Sequence, residues 1–267
     1  DIDTSSSSRN ATITTRNPYM TKYGVSRDFS VYYRKYDASK LNISDVKYTT
    51  TGVNLSFGVP ISENNKIFLG VNPERNKIAL ASTGEVPASY TQYTNGKNSF
   101  TTYALTAGWS HDTRDSGFSP SRGTLQRVNL EVAPVGDINY YKASYQFQKF
   151  VPVSKYFTLA FNTQFDYGRG YGGDAYPFFK NMFAGGIGSV RGFDSSSMGP
   201  TQTTSNGTVA YIGGSKRAVA NLELQFPFPG MVKNRGVRLF AFADAGGLWS
   251  DNDSNGNAIM DSNGCNV

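Results

Sequence analysis

Side chains alternate in character, residue by residue, over most of this chain, and that period of two points to sheet rather than helix. The cleanest stretch is Ala218–Phe226. Ala218, Ala220, Leu222, Leu224 and Phe226 face one way; Val219, Asn221, Glu223 and Gln225 face the other. The same phase runs through Phe157–Tyr167, Tyr141–Gln148 and Gln126–Val132. The pattern predicts ten strands, over residues 9–17, 25–36, 46–59, 66–80, 98–111, 123–133, 139–152, 156–168, 216–228 and 236–249. The first is the weakest, with Ile13 as its sole large apolar residue. No heptad or helical period competes with them, so the fold class is all-β.

Two architectures use such strands, a soluble sandwich and a membrane barrel. Composition does not separate them. Hydrophobic residues are only 38% of the chain, yet there are 17 Tyr and 18 Phe, which suits strands with one lipid face, one wet face and aromatic girdles. No run approaches the ~18 apolar residues of a membrane helix. The connections decide. Pro18–Gly24, Ile61–Asn65, Asp112–Arg122, Val153–Lys155 and Pro229–Arg235 are compact and mostly hold turn formers. The alternate set, Asp37–Ser44, Ala81–Asn98, Gly168–Ser215 and the tail from Ser250, is longer and more polar, with Pro134–Ile138 its one short member. Short turns on one rim and long loops on the other characterise an antiparallel up-and-down transmembrane β-barrel, and a sandwich has no reason to sort its loops by parity. Charge assigns the faces. One face carries almost no ionisable residue at mid-strand, and Arg127, Glu131, Lys142, Asp166, Glu223, Arg238 and Asp244 all fall on the other. A charge on the lipid face costs about 2–4 kcal/mol at the midplane, so the interior is expected to be polar and water-accessible.

The longest connection, residues 169–215, is Gly/Ser/Thr-rich but carries Tyr171, Tyr176, Phe178, Phe179, Phe183, Arg191 and Phe193. Loops this long are functional or disordered, and this one has aromatics to pack and a cation to pair. Glu223 and Asp244 are mid-strand acids on the two strands that follow, at similar depth on the lumen face. A guanidinium matches carboxylates in a bidentate fork, so Arg191 could bridge them; alternatively each acid stands solvated in the lumen.

Val190-Arg191-Gly192-Phe193 resembles the VRGF motif of the BamA-type outer-membrane insertases. The surroundings extend the likeness: Pro177-Phe178-Phe179-Lys180-Asn181-Met182-Phe183-Ala184-Gly185-Gly186 before the motif and Gly199-Pro200 after it. Asn17-Pro18-Tyr19-Met20 with Gly24-Val25-Ser26, and Asp112-Thr113-Arg114-Asp115 through Pro120 and Gly123, resemble two turns of the same barrel, in the same order. The resemblance implies that residues 1–267 are part of one barrel of sixteen strands, with roughly three missing at each end. It also implies preceding POTRA domains, absent here with the terminal strands, and a long loop folded into the lumen. In that family the motif arginine pairs with acids on the next two strands, here Glu223 and Asp244. The implied activity is folding and insertion of β-barrel proteins into the bacterial outer membrane, without covalent chemistry or cofactor. The implied partners are unfolded outer-membrane clients, accessory assembly lipoproteins, periplasmic chaperones, lipid and lipopolysaccharide. Phe193 is expected to pack inside. Autotransporter-assembly and two-partner secretion pores share the Arg-Gly-Phe core, and a passive channel shares the barrel. The Ala-Gly-Gly and Asn-Pro-Tyr contexts look more like the insertase.

The remaining signals are weak. Net charge is +6, but the basic residues are scattered, which argues against nucleic acid. The lone Cys265 allows no disulfide within the chain. No signal peptide opens it, and it reads as an excised middle. Asp251-Asn252-Asp253-Ser254-Asn255-Gly256 matches the start of a calcium loop, but position twelve is Ser262 rather than Glu, so a polar loop is the reading and no metal is assigned. The glycines at 186, 188 and 192 lack nucleotide-fingerprint spacing. His111, beside Asp112, has no evident nucleophile or cleft. Trp109 and Trp249 read as interfacial aromatics.

Overall fold

The computed structural model describes residues 2–5, 8–37, 46–80, 86–204, 207–228 and 238–250. Its main sheet is an antiparallel meander. The strands are β1 (Ile2–Thr4), β2 (Ser8–Asn17), β3 (Ser26–Asp37), β4 (Val46–Ser62), β5 (Asn65–Leu80), β6 (Ser99–Asp112), β7 (Gly123–Gly136), β8 (Tyr140–Pro152) and β9 (Thr158–Gly170). They are followed, beyond a two-stranded hairpin of β10 (Thr201–Thr203) and β11 (Val209–Tyr211), by β12 (Lys216–Pro227) and β13 (Arg238–Trp249). The sheet runs β1-β2-β3-β4-β5-β6-β7-β8-β9-β12-β13, so β9 and β12 are neighbours despite the long connection between them.

Ten of these strands are the predicted ones, with shifted ends. β7 runs past its expected end at 133 because the ladder absorbs a bulge. Tyr103 pairs with Val135 but Leu105 pairs with Val132, leaving one extra β7 residue where Pro134, which has no N–H to donate, is tolerated. Four features were not anticipated: the short edge strand β1, the β10–β11 hairpin, a 3-10 turn at Phe178–Lys180, and a helix, α1 (Ala88–Thr94), inside the loop expected to be merely polar. A helix that short is not stable by itself; packing holds it, with Tyr90 stacked on Phe178 at 4.1 Å and its hydroxyl donating to the Ile212 carbonyl at 3.0 Å. The Pro229–Arg235 turn, most of Asp37–Ser44, the Asp251–Gly256 loop and Cys265 lie outside the described residues.

The faces follow the parity read from the sequence. Phe161, Phe165 and Leu222 are exposed outward, while Glu131, Asp166 and Glu223 bond within the concave side. The expected polar, water-accessible interior needs correction in one part. On the concave side near the long-loop rim, Val46, Ile78, Phe100, Ala133, Tyr140 and Ile212 are buried around Tyr90 and Phe178. The long loop and α1 fold onto the wall there and bring their own aromatics, so water is excluded from that part. The other end of the lumen keeps Asn162, Asn221 and Gln148 in a polar ladder.

Candidate functional site

The site is where the long loop meets β12 and β13. Register puts Asn221 opposite Asp244 and Glu223 opposite Phe242. The two acids therefore share the lumen face, one inward-facing step apart. Gly185 and Gly186 (φ +104° and +90°) begin a tight turn, closed by Gly186 N–H donating to the Val190 carbonyl at 3.1 Å. Val190 is buried against Gly246; a methyl group on Gly246 would lie 2.7 Å from Val190 Cγ2. The Ser189 carbonyl accepts from Asn221 Nδ2 at 2.7 Å. These contacts fix the backbone before Arg191 reaches out.

Arg191 then bridges both acids. Its Nε and Nη2 donate to Asp244 Oδ2 and Oδ1 at 2.7 and 2.6 Å, and its backbone N–H adds a third bond to Asp244 Oδ2 at 2.9 Å. Nη1 donates to Glu223 Oε1 at 2.5 Å. The Asp244 side chain is 2% exposed and that of Glu223 27%. One face of the guanidinium lies 3.8 Å from the Phe242 ring centre, and Phe240 follows at 5.7 Å, an attraction for the quadrupole of a partly desolvated ring. The acids outweigh partial burial and hold the arginine above its ordinary pKa.

Of the motif, the structure places Val190 and Arg191 in the brace and Gly192 at φ +90°, a backbone that glycine adopts without strain. Phe193 is 53% exposed on this open, eleven-stranded sheet.

Two further ties hold the same loop. Lys180 Nζ lies 2.6 Å from Glu74 and 3.3 Å from Glu131, with Tyr140 donating to the latter. Burial alone would push this ammonium down, but Glu74 and Glu131 overcome it and raise it above its usual range. Arg217 bonds Asp166 through Nε and donates from Nη1 to the Phe183 carbonyl at 3.0 Å. The sequence reading missed Phe240, Phe242 and Glu74, although each had a signal. The two phenylalanines share the parity of Asp244, and Glu74 sits in the inward polar run Asn72-x-Glu74-x-Asn76. Nothing in the spacing singles out Lys180. His111 lies apart from all this, its Nδ1 3.0 Å from Asn65 Oδ1 and its ring against Trp109.

Residues 2–265 match the Omp85 superfamily domain. The chain is 35% identical over 253 residues to the outer membrane protein assembly factor BamA of Neisseria meningitidis serogroup B, covering 90% of this chain and 32% of that protein. Against the BamA of Nitratidesulfovibrio vulgaris the identity is 26% over 211 residues, covering 78% and 25%. The chain thus spans a third or less of these relatives. Among solved structures, BamA from Haemophilus ducreyi lacking POTRA domains 1–3 superposes with a TM-score of 0.81 at 25% identity, over 91% of this chain and 50% of that one. CdiB from Acinetobacter baumannii shares the fold at a TM-score of 0.51 and 12% identity, over 92% and 41%.

Proposed function

The chain belongs to the Omp85 superfamily, and from that membership we propose that it forms the central wall of a barrel in the bacterial outer membrane that folds and inserts other β-barrel proteins. No covalent chemistry is required. An unfolded client strand carries N–H and C=O groups that cannot enter lipid unpaired, and an open barrel edge can template it by strand addition. Its partners are unfolded outer-membrane proteins, the periplasmic chaperones that deliver them, and accessory assembly lipoproteins.

The observation that carries this reading is the four-bond hold of Arg191 on Asp244 and Glu223. A passive channel does not need a braced loop. A wall that must open at a distant seam gains a fixed shape. Val190, Arg191 and Gly192 form the hinge of that brace; Glu223 and Asp244 are its anchors on the wall.

The test places the full-length parent in liposomes with its accessory proteins, adds an unfolded barrel client, and follows folding by protease resistance. Acceleration by wild type that is lost in Arg191→Ala is the expected result. No acceleration by a verified folded wild type would move the assignment to a secretion pore or a passive channel, with the loop as a plug.

A further inference from the structure

The outward face of β2–β5 changes character sharply toward the long-loop rim. Up to that level it is apolar: Ile13, Val31, Leu69 and Val71 are all exposed, and Tyr33 stands above them. The next outward positions are cationic. Arg9 pairs across the ladder with Lys35, Lys35 with Thr49, and Thr49 with Lys77, so three bases lie in one row of the sheet. All three are exposed, and none forms an ion pair among the described residues. Arg75 sits one outward step toward the apolar band, its Nε donating to Ser99. Lys47 sits one step beyond the row, 3.5 Å from Asp37, the one acid on this face of β2–β5 at that height.

Like charges directly opposite on a ladder repel, and among the described residues of this face only Asp37 stands near enough to offset them. Their height supplies the missing partner. They stand at the edge of the apolar band, on the rim of long loops, where the headgroups of the outer leaflet meet the barrel. A phosphate there accepts from Lys and Arg. Arg9 to Lys77 spans three strand spacings, about 14 Å, more than a single phosphate covers.

We infer that this row binds a lipid headgroup bearing more than one phosphate, its acyl chains lying along the apolar band below. The inference rests on the outer-membrane assignment above. The test uses the full-length parent, shown to be folded by heat-modifiable migration. It is equilibrated with a bisphosphorylated glycolipid, its dephosphorylated form, or phosphatidylglycerol, and retained lipid is counted by native mass spectrometry beside the R9Q/K35Q/K77Q variant. Wild type should retain the bisphosphorylated lipid selectively, and the variant should lose about fivefold in retention per cation removed. Equal retention by the folded variant, or equal retention of the dephosphorylated or single-phosphate lipid, would overturn the site. Displacement by inorganic phosphate alone would overturn the lipid assignment. The client-folding assay is independent: a parent that retains the lipid through these cations but folds no client refutes the insertase reading and not this one.

Discussion

At the scale of single residues, the two anchors of Arg191 are unequal. Asp244 takes three of the four bonds and is almost fully enclosed; Glu223 takes one and keeps a quarter of its surface in the lumen. Hydrogen bonds to charged groups contribute about 1.5–3 kcal/mol each, and an unmade bond in an enclosed site costs more than an open one. Asp244→Asn should therefore release the loop further than Glu223→Gln, read as faster amide exchange over residues 186–192. Equal exchange in the two variants would contradict the geometry. Arg191→Lys keeps the charge but loses the fork. It should recover only part of the protection that Arg191→Ala abolishes, because an ammonium cannot hold both Asp244 oxygens and Glu223 in one plane. Gly246→Val tests the seat of the motif without touching any charge. The added side chain enters the space of Val190, and overpacking of this kind costs about 1–3 kcal/mol.

Among the elements, the strands were legible and what lies between them was not. Strand faces follow from parity alone: Ala218–Phe226 reads the same in sequence and in space, and Asp166 and Glu131 point inward as their neighbours require. The helix α1 left no readable period because seven residues are two turns, and its stability comes from Phe178, many residues away. The same holds for Lys180, whose two acids come from β5 and β7. Long-range pairing of loop residues is invisible to any local pattern. Lys180→Met should leave Glu74 without its cation and Glu131 with only Lys142, its cross-strand neighbour. Removing one partner of a buried pair costs about 3–5 kcal/mol, so residues 178–184 should lose exchange protection while the strands keep theirs. Adding Glu74→Gln should restore part of it. The turn between β6 and β7 carries a pH signature. Hydrogen bonds from the Ser121 hydroxyl and amide, and from the Arg122 amide, lower the Asp115 carboxyl to about 2. A depressed acid stabilises the fold above its unfolded pKa of about 3.9 and loses that contribution as pH falls through its folded value. The Ser121 and Arg122 amides should thus remain protected at pH 4 and open near pH 2.

For the molecule as a whole, the loop is a strut with its ends on different strands of one sheet. Lys180 ties it to β5 and β7, Arg217 on β12 holds the Phe183 carbonyl, and Arg191 ties it to β12 and β13. Freeing one end should leave the lumen largely obstructed; freeing both, in Lys180→Met with Arg191→Ala, should raise single-channel conductance of the full-length parent beyond the sum of the two single variants. Simple additivity would mean the ends act independently. The strut also has an order in time. Arg191 lies 32 residues from Glu223 and 53 from Asp244 along the chain, whereas the hairpins on one rim of the wall close over compact turns. Contacts between distant residues wait for the chain between them to be fixed. The motif has no complete partner until β12 and β13 have paired, so its docking is a late folding event, and an arginine in place reports that the wall behind it has already been built.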